Sequence, residues 1–138
     1  MNSLKNKLID GARESLKLSY SPYSNKKIGA CLVLTNGKIF SGCNIENASY
    51  GGTVCAERVA IWKAFSECSS SEKITEIVVA SLEDKPWPPC GFCRQIMAEF
   101  STDETIVRLV NLKNDEIVHR FKDLFPEAFR PEHLKKQF

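Results

Sequence analysis

The chain has 138 residues, of which 43% are hydrophobic, and its 19 Lys and Arg against 17 Asp and Glu give a net charge of +2. These values are typical of one globular domain, so we expect residues 1–138 to form a single domain and exclude a largely disordered or fibrous chain. The balanced charge excludes a basic stripe for nucleic acid, and no apolar run approaches the roughly 20 residues that span a bilayer.

The first half of the chain predicts a helix, a hairpin and a second helix. Apolar residues at every fourth position predict an amphipathic helix over 3–18. Two apolar runs, 28–35 and 38–42, flank Asn36-Gly37, which predicts a β-hairpin with a type I′ turn. Strong helix formers predict a helix over 55–68. Its expected buried face is Val59, Trp62, Ala64 and Phe65.

The second half predicts three strands and one further long helix. In chain order the pattern predicts strand 75–81, helix 91–100, strand 105–112, strand 116–121 and a short helical tail interrupted by Pro126 and Pro131. The strand–helix–strand order favours an α/β fold, with a partly parallel sheet that begins in an antiparallel hairpin and carries helices on its faces.

Three of the six cysteines have the spacing of metal ligands. Cys90 and Cys93 can bind one ion from a single helical turn, and Cys55 stands at a second loop-to-helix junction, where free N–H groups stabilise a thiolate. Three soft ligands suit zinc, and the missing fourth predicts a catalytic site with a position left for water. The other cysteines and histidines are interpreted as core thiols or surface imidazoles; they are Cys31, Cys43, Cys68, His119 and His133.

Two charged residues follow Cys55 and complete the predicted site. Glu57 is expected to lie beside the ion without binding it, where a carboxylate can carry protons as a general acid and base. Arg58 is expected to donate hydrogen bonds to thiolate sulfur and so withdraw negative charge. Arg94 could share that task, although an ordinary surface or interface role is favoured. The N-terminal segment has no signal-like apolar stretch, so we expect a cytoplasmic protein.

The pairing of C-A-E at residue 55 with P-C-x-x-C at residue 89 is similar to the motif of zinc nucleobase deaminases. Nearly the whole chain resembles the small cytidine deaminases of pyrimidine salvage. The matching stretches begin at residues 20, 42, 55, 89 and 125 and read YSPYS, GCNIENA, CAER, PCGFCRQ and FPEAF. This resemblance implies a three-layer α/β/α sandwich with a five-stranded mixed sheet, one zinc ion per subunit, and a homotetramer whose neighbours complete each active site.

The resemblance also implies roles for five residues in nucleoside binding. Asn44 and Glu46 are expected to hydrogen-bond the ribose 3′-hydroxyl, and the Ala56 N–H is expected to meet the 2-oxo group of the pyrimidine. Tyr50 and Phe129 are expected to reach the nucleoside pockets of neighbouring subunits, with simple interface packing as an equal alternative.

Three positions depart from the family pattern. Lys26 stands where a phenylalanine commonly stacks on the base, and the loss of that contact is expected to weaken nucleoside binding or change the preferred base. Phe92 is larger than the usual residue and is a candidate substitute for the missing ring. Pro88 replaces a frequent serine but keeps the backbone carbonyl expected to face the departing amino group.

The implied function is hydrolytic deamination of cytidine and 2′-deoxycytidine to the uridines plus ammonia, with a small nucleoside as partner and neither nucleic acid nor membrane. One alternative is a related enzyme for another aminopyrimidine, such as blasticidin S or an N4-modified cytidine. A second is a structural zinc module that binds RNA or protein, which predicts four protein ligands. A nucleic-acid-editing deaminase is a third, although the short chain offers no extra domain to bind a strand.

Overall fold

A computed structural model describes residues 3–135, and a five-stranded sheet is its central element. The strands are β1 (Ile28–Leu34), β2 (Ile39–Cys43), β3 (Ile74–Ser81), β4 (Ser101–Val110) and β5 (Glu116–Arg120). Their spatial order is β2-β1-β3-β4-β5. Strands β3 and β4 are parallel, and every other neighbouring pair is antiparallel. The sheet is therefore mixed and begins in an antiparallel hairpin, as predicted.

Helices cover both faces of this sheet. They are α1 (Leu4–Leu16), α2 (Ala56–Glu67), α3 (Gly91–Phe100), α4 (Phe121–Leu124) and α5 (Pro131–Leu134), with a 3₁₀ turn at Tyr50–Gly52. Helix α1 packs Leu8 and Ala12 on the face that carries Cys31 and Val78. Helices α2 and α3 bury their apolar side chains on the opposite face. The three-layer α/β/α sandwich is thus confirmed. Within residues 3–135, none of the helices combines the length and the apolarity needed to cross a bilayer.

Two glycines let helices lie close to the sheet. A Cβ atom on Gly29 would lie 1.9 Å from the Ala12 carbonyl oxygen of α1. A Cβ atom on Gly42 would lie 2.7 Å from the Ala60 nitrogen of α2. Real Cβ atoms do not approach backbone this closely, so β1 and β2 need glycine at these points. The second contact fixes α2, and with it the residues at the start of that helix.

The predicted buried face of α2 was wrong at Trp62. This side chain is 48% exposed, and the fully buried apolar residues of the helix are mostly small; they are Ala56, Ala60, Ile61 and Ala64. Small residues face the sheet because the helix approaches it closely at Gly42. The larger aromatic is left on the outer side, where its ring lies 5.9 Å from the Arg58 guanidinium.

The predicted type I′ turn was also wrong. Gly37 has φ of +85°, but Asn36 keeps a negative φ, and the hairpin closes with the Leu34 N–H donating to the Lys38 carbonyl at 3.0 Å. Thr35 leaves the ladder because its N–H donates to the Lys73 carbonyl at 2.9 Å. The result is a three-residue loop with glycine in the left-handed region, which is the next most common hairpin connection.

Strand β4 begins four residues earlier than predicted. Ser101 pairs with Ile74, after which the register shifts. The Thr105 hydroxyl donates to the Ile74 carbonyl at 2.6 Å and accepts from the Thr102 N–H at 3.0 Å, so it bridges the irregularity. Residues 102–104, between these points, are polar and exposed, so the sequence there lacks the apolar pattern that predicts a strand.

Candidate active site

The first turns of α2 and α3 meet at one end of the sheet and bring three cysteines together. Cys55 is the N-cap of α2, Cys90 is the N-cap of α3, and Cys93 lies in the first turn of α3. Their three Sγ atoms lie within 4.8 Å of one another, and the Cys55 and Cys90 sulfurs are 3.8 Å apart. Within residues 3–135, this cluster contains no fourth His, Cys, Asp or Glu. The donor set is therefore three sulfurs with room for a further ligand.

The protonation of these sulfurs shows how well they fit a cation. The pKa of the Cys55 thiol is lowered to about 5, because its sulfur accepts a hydrogen bond from the Cys93 thiol and another from the Arg58 guanidinium. The pKa of the Cys93 thiol is raised by the same shared proton and by burial. Three thiolates this close together need a compensating positive charge, which a bound Zn²⁺ would supply.

Arg58 provides the nearest fixed positive charge. Its Nη2 donates to the Cys55 sulfur at 3.4 Å, as the sequence predicted, and its guanidinium carbon lies 4.0 Å from the centre of the Phe92 ring. The side chain is buried, and its Nε has no partner in the described part of the chain. Zinc with three thiolates carries a charge of −1, so the buried guanidinium and the loaded site would together be neutral.

Glu57 is the buried carboxyl of the site. Glu57 is 4% exposed and lines a cleft of about 270 Å³ together with Cys55 and Cys90. Burial raises the pKa of this carboxyl to about 7, and the negative charge of Cys55 adds to the effect. A carboxyl that titrates near neutral pH can both accept and return a proton.

The cleft beside Glu57 is mostly apolar, with a few polar groups. Its lining is Ile28, Asn44, Glu46, Thr53, Val54, Cys55, Ala56, Glu57, Val79, Trp87, Pro88 and Cys90. This composition is typical of a site for a small organic ligand, in which a few polar groups fix the orientation. The three predicted substrate-binding residues Asn44, Glu46 and Ala56 all lie on this lining.

Comparison with known proteins decides the family. The model of the cytidine and deoxycytidylate deaminase zinc-binding region matches residues 2–109. The chain belongs to this deaminase family. A cytidine deaminase of Halalkalibacterium halodurans is 42% identical over 92% of this chain and 95% of its own. A cytidine deaminase of Sporosarcina psychrophila is 41% identical over 93% of each chain. The crystal structure of cytidine deaminase from Burkholderia pseudomallei superposes with a TM-score of 0.85 at 40% identity, covering 92% of this chain and all of the other.

Asn44 of this family member is held by hydrogen bonds inside the chain. Its Oδ1 accepts from the Ile28 N–H at 2.9 Å and from the Ser19 hydroxyl at 2.5 Å, and its Nδ2 donates to the Lys26 carbonyl at 2.7 Å. These bonds join the end of β2 to the loop before β1. The other amide N–H of Asn44 has no protein partner among residues 3–135 and can donate to a ligand.

Glu46 anchors the same loop. Its Oε1 accepts from the N–H groups of Tyr23 and Ser24 at 2.9 and 3.1 Å, and its Oε2 accepts from the Ser24 hydroxyl at 2.5 Å. The hydroxyl bond, with help from the two N–H groups, lowers the pKa of this carboxyl. Sequence reasoning missed this anchoring role of Asn44 and Glu46, because their partners lie in a separate stretch of the sequence.

Four other residues singled out by sequence lie off the cleft lining of the described chain. Tyr50 and Phe129 are 79% and 52% exposed, and Phe92 packs on Arg58 rather than on the cleft. Arg94 does not contact sulfur. It donates to the Pro89 and Leu124 carbonyls at 2.9 and 2.7 Å, and so braces the segment before Cys90.

Lys26 and Trp87 form a cation–π pair beside the cleft. The Lys26 Nζ lies 5.5 Å from the centre of the Trp87 ring and 2.8 Å from Glu83 Oε1, and Lys26 itself is not part of the lining. Trp87 does line the cleft, and sequence reasoning missed it. The available signal was an aromatic residue between two prolines just ahead of the P-C-x-x-C motif.

Proposed function

We propose that this chain is a zinc-dependent enzyme that hydrolyses cytidine and 2′-deoxycytidine to uridine and 2′-deoxyuridine with release of ammonia. The observation that carries this proposal is the buried Glu57 carboxyl, which lines a small apolar cleft beside three clustered cysteine sulfurs. Relatives named cytidine deaminase align with most of this chain, which supports cytidine as the substrate.

The proposed chemistry assigns the proton transfers to Glu57. Cys55, Cys90 and Cys93 would hold the zinc ion, which as a Lewis acid makes water a nucleophile at neutral pH. Glu57 takes a proton from the water whose oxygen adds to C4 of the pyrimidine, and gives it to N3. Glu57 then moves the second proton from the new hydroxyl group to the amino group. The C4–N4 bond breaks, ammonia leaves, and the carbonyl of the uridine remains.

The cleft lining supports the proposed contacts with the nucleoside. The second amide N–H of Asn44 can donate to a ribose hydroxyl, and Glu46 Oε2, which already accepts from the Ser24 hydroxyl, can accept from the ribose through its other lone pair. The predicted partner is the 3′-hydroxyl. Cys55 makes no side-chain capping bond, so N–H groups of the first turn of α2 are available to a ligand, and Ala56 is the first residue of that turn. We assign its N–H to the pyrimidine 2-oxo group.

We further propose a homotetramer in which Tyr50 and Phe129 complete the sites of neighbouring subunits. Their exposure in the single chain supports this role, because large aromatic side chains exposed near a site are typical of interfaces. Light scattering of the purified protein should give about four times the chain mass of 15.5 kDa.

Three further expectations from the sequence remain part of this proposal. They are one catalytic domain over 1–138, a place in pyrimidine salvage and a cytoplasmic location. The location is supported by the assignment of the cysteines as thiols and metal ligands.

An ammonia-release assay with a panel of nucleosides tests the substrate proposal directly. The panel contains cytidine, 2′-deoxycytidine, cytosine, an N4-methylated cytidine and blasticidin S, with zinc content measured on the same protein. We expect turnover of the first two and about one zinc ion per chain. A preference for a modified substrate would instead favour the related enzyme, and zinc without turnover of any compound would favour a structural module.

A further inference from the structure

Trp87 is the single aromatic side chain on the cleft lining of residues 3–135. It lies between Pro86 and Pro88 in the segment that joins β3 to α3, three residues before Cys90. Each proline fixes its own φ and restricts the residue before it, so the backbone around Trp87 has little freedom. The tryptophan is 40% exposed and therefore has free surface for a ligand.

Lys26 links Trp87 to the loop between α1 and β1. Its ammonium lies over the indole ring and forms an ion pair with Glu83, which belongs to the same segment as Trp87. The Lys26 carbonyl accepts the Asn44 Nδ2 bond at 2.7 Å. The indole is therefore held in place by contacts with two parts of the chain. One is the segment that leads to Cys90, and the other is the loop that Asn44 anchors.

We propose that Trp87 stacks on the pyrimidine ring of the substrate and is a specificity-determining residue of this site. The inference rests on the proposed function, since a nucleoside base brings a flat π surface into the cleft. The apolar neighbours Ile28, Val54 and Val79 are aliphatic and offer no flat ring. An indole provides a large rigid face at little cost in side-chain entropy. Lys26, which departs from the family pattern, becomes the residue that positions this ring.

Equilibrium binding of cytidine separates the role of Trp87 from the chemical step. The measurements use the zinc-loaded Glu57→Gln protein, in which the ligand stays intact, and calorimetry gives the dissociation constant. Replacing Trp87 by Leu keeps an apolar side chain but removes the ring, and should weaken binding about 5- to 150-fold, the range of one base–aromatic stack. Replacing Trp87 by Phe keeps a ring and should hold the dissociation constant within about threefold.

Fluorescence provides a second readout that leaves Trp87 intact. The chain has two tryptophans, so adding Trp62→Phe to the zinc-loaded Glu57→Gln protein makes Trp87 the sole indole while cytidine stays intact. Saturating cytidine should then change its emission, and a Lys26→Met variant should show a smaller change, because the ring loses its positioning ammonium. In the active enzyme, Trp87→Leu should raise KM much more than it lowers kcat.

The outcomes distinguish this inference from the proposed function. An enzyme that deaminates cytidine while Trp87→Leu binds cytidine as tightly as its parent would overturn the stacking role alone. Unchanged Trp87 emission at saturating cytidine would do the same, even if the Leu variant failed to fold. A zinc-loaded parent protein that neither binds nor deaminates cytidine would overturn the proposed function, and the stacking role with it.

Discussion

Replacing Arg58 by methionine should weaken the binding of zinc to the three cysteines. Methionine matches the length of the arginine stem and can still pack on Phe92, but it donates no hydrogen bond to the Cys55 sulfur. A hydrogen bond to a charged group contributes about 1.5–3 kcal/mol, and loss of a group that orients a metal ligand typically costs about 10–100-fold in metal affinity. We therefore expect the zinc dissociation constant of Arg58→Met to rise by about 10–100-fold.

Competition with a chromophoric chelator at neutral pH measures this change. Arg120→Met is the matched control, because Arg120 is half exposed and, within residues 3–135, forms its ion pair with Glu104 on the surface. Arg58→Lys keeps the positive charge but lacks the planar guanidinium, and should bind zinc more tightly than Arg58→Met but less tightly than wild type. Denaturant unfolding of each chelated protein shows whether the variants remain folded. A folded Arg58→Met protein that binds zinc as tightly as wild type would show that the Arg58 hydrogen bond does not support zinc binding.

Three further predictions concern stability. Asn44→Ala removes three side-chain hydrogen bonds at about 1 kcal/mol each and should lower the free energy of unfolding by about 2–4 kcal/mol in urea titrations; a loss below about 0.5 kcal/mol would contradict the anchoring role. Gly29→Ala drives a Cβ atom into the Ala12 carbonyl and should cost about 3 kcal/mol or more by the same assay, whereas Gly51→Ala enters open space and should change stability by less than about 0.5 kcal/mol. Burial raises the pKa of Glu57 to about 7, so between pH 4.5 and 7 the unfolded chain has already lost this proton while the native chain keeps it. The chelated wild type should therefore lose stability relative to Glu57→Gln as pH rises through that window, and parallel pH profiles for the two proteins would contradict the shift.

The order of helices and strands followed from the sequence because local signals encode it. Periodic apolar residues gave α1, and the apolar runs gave β1 and β3. Trp62 was misplaced because the contact surface of α2 depends on a glycine in another element, Gly42. The hairpin turn was misjudged for a similar reason, since Thr35 bonds to the distant Lys73 rather than to its hairpin partner.

The cysteine cluster was accessible to sequence reasoning because ligand spacing is a local property. Cys90 and Cys93 share one helical turn, and the motif that begins at Cys55 supplied the third sulfur. The surroundings of the cleft were less accessible. The bonds that Asn44 makes to the loop between α1 and β1 and to the start of β1 join residues far apart in sequence, as does the pairing of Lys26 with Trp87. Hydrophobic periodicity does not predict such contacts.

Turnover by zinc-loaded Glu57→Gln, with zinc counted on the same sample, is the decisive test of Glu57 as the proton carrier at a zinc site. We expect about one zinc ion per chain, as in wild type, because the three sulfurs remain. We also expect cytidine turnover to fall by about 10²–10⁴-fold or more, because the proton carrier is gone. Turnover close to wild type in that variant would contradict the assignment of Glu57. Full wild-type turnover by protein shown to contain no zinc would contradict the role of the cysteine cluster.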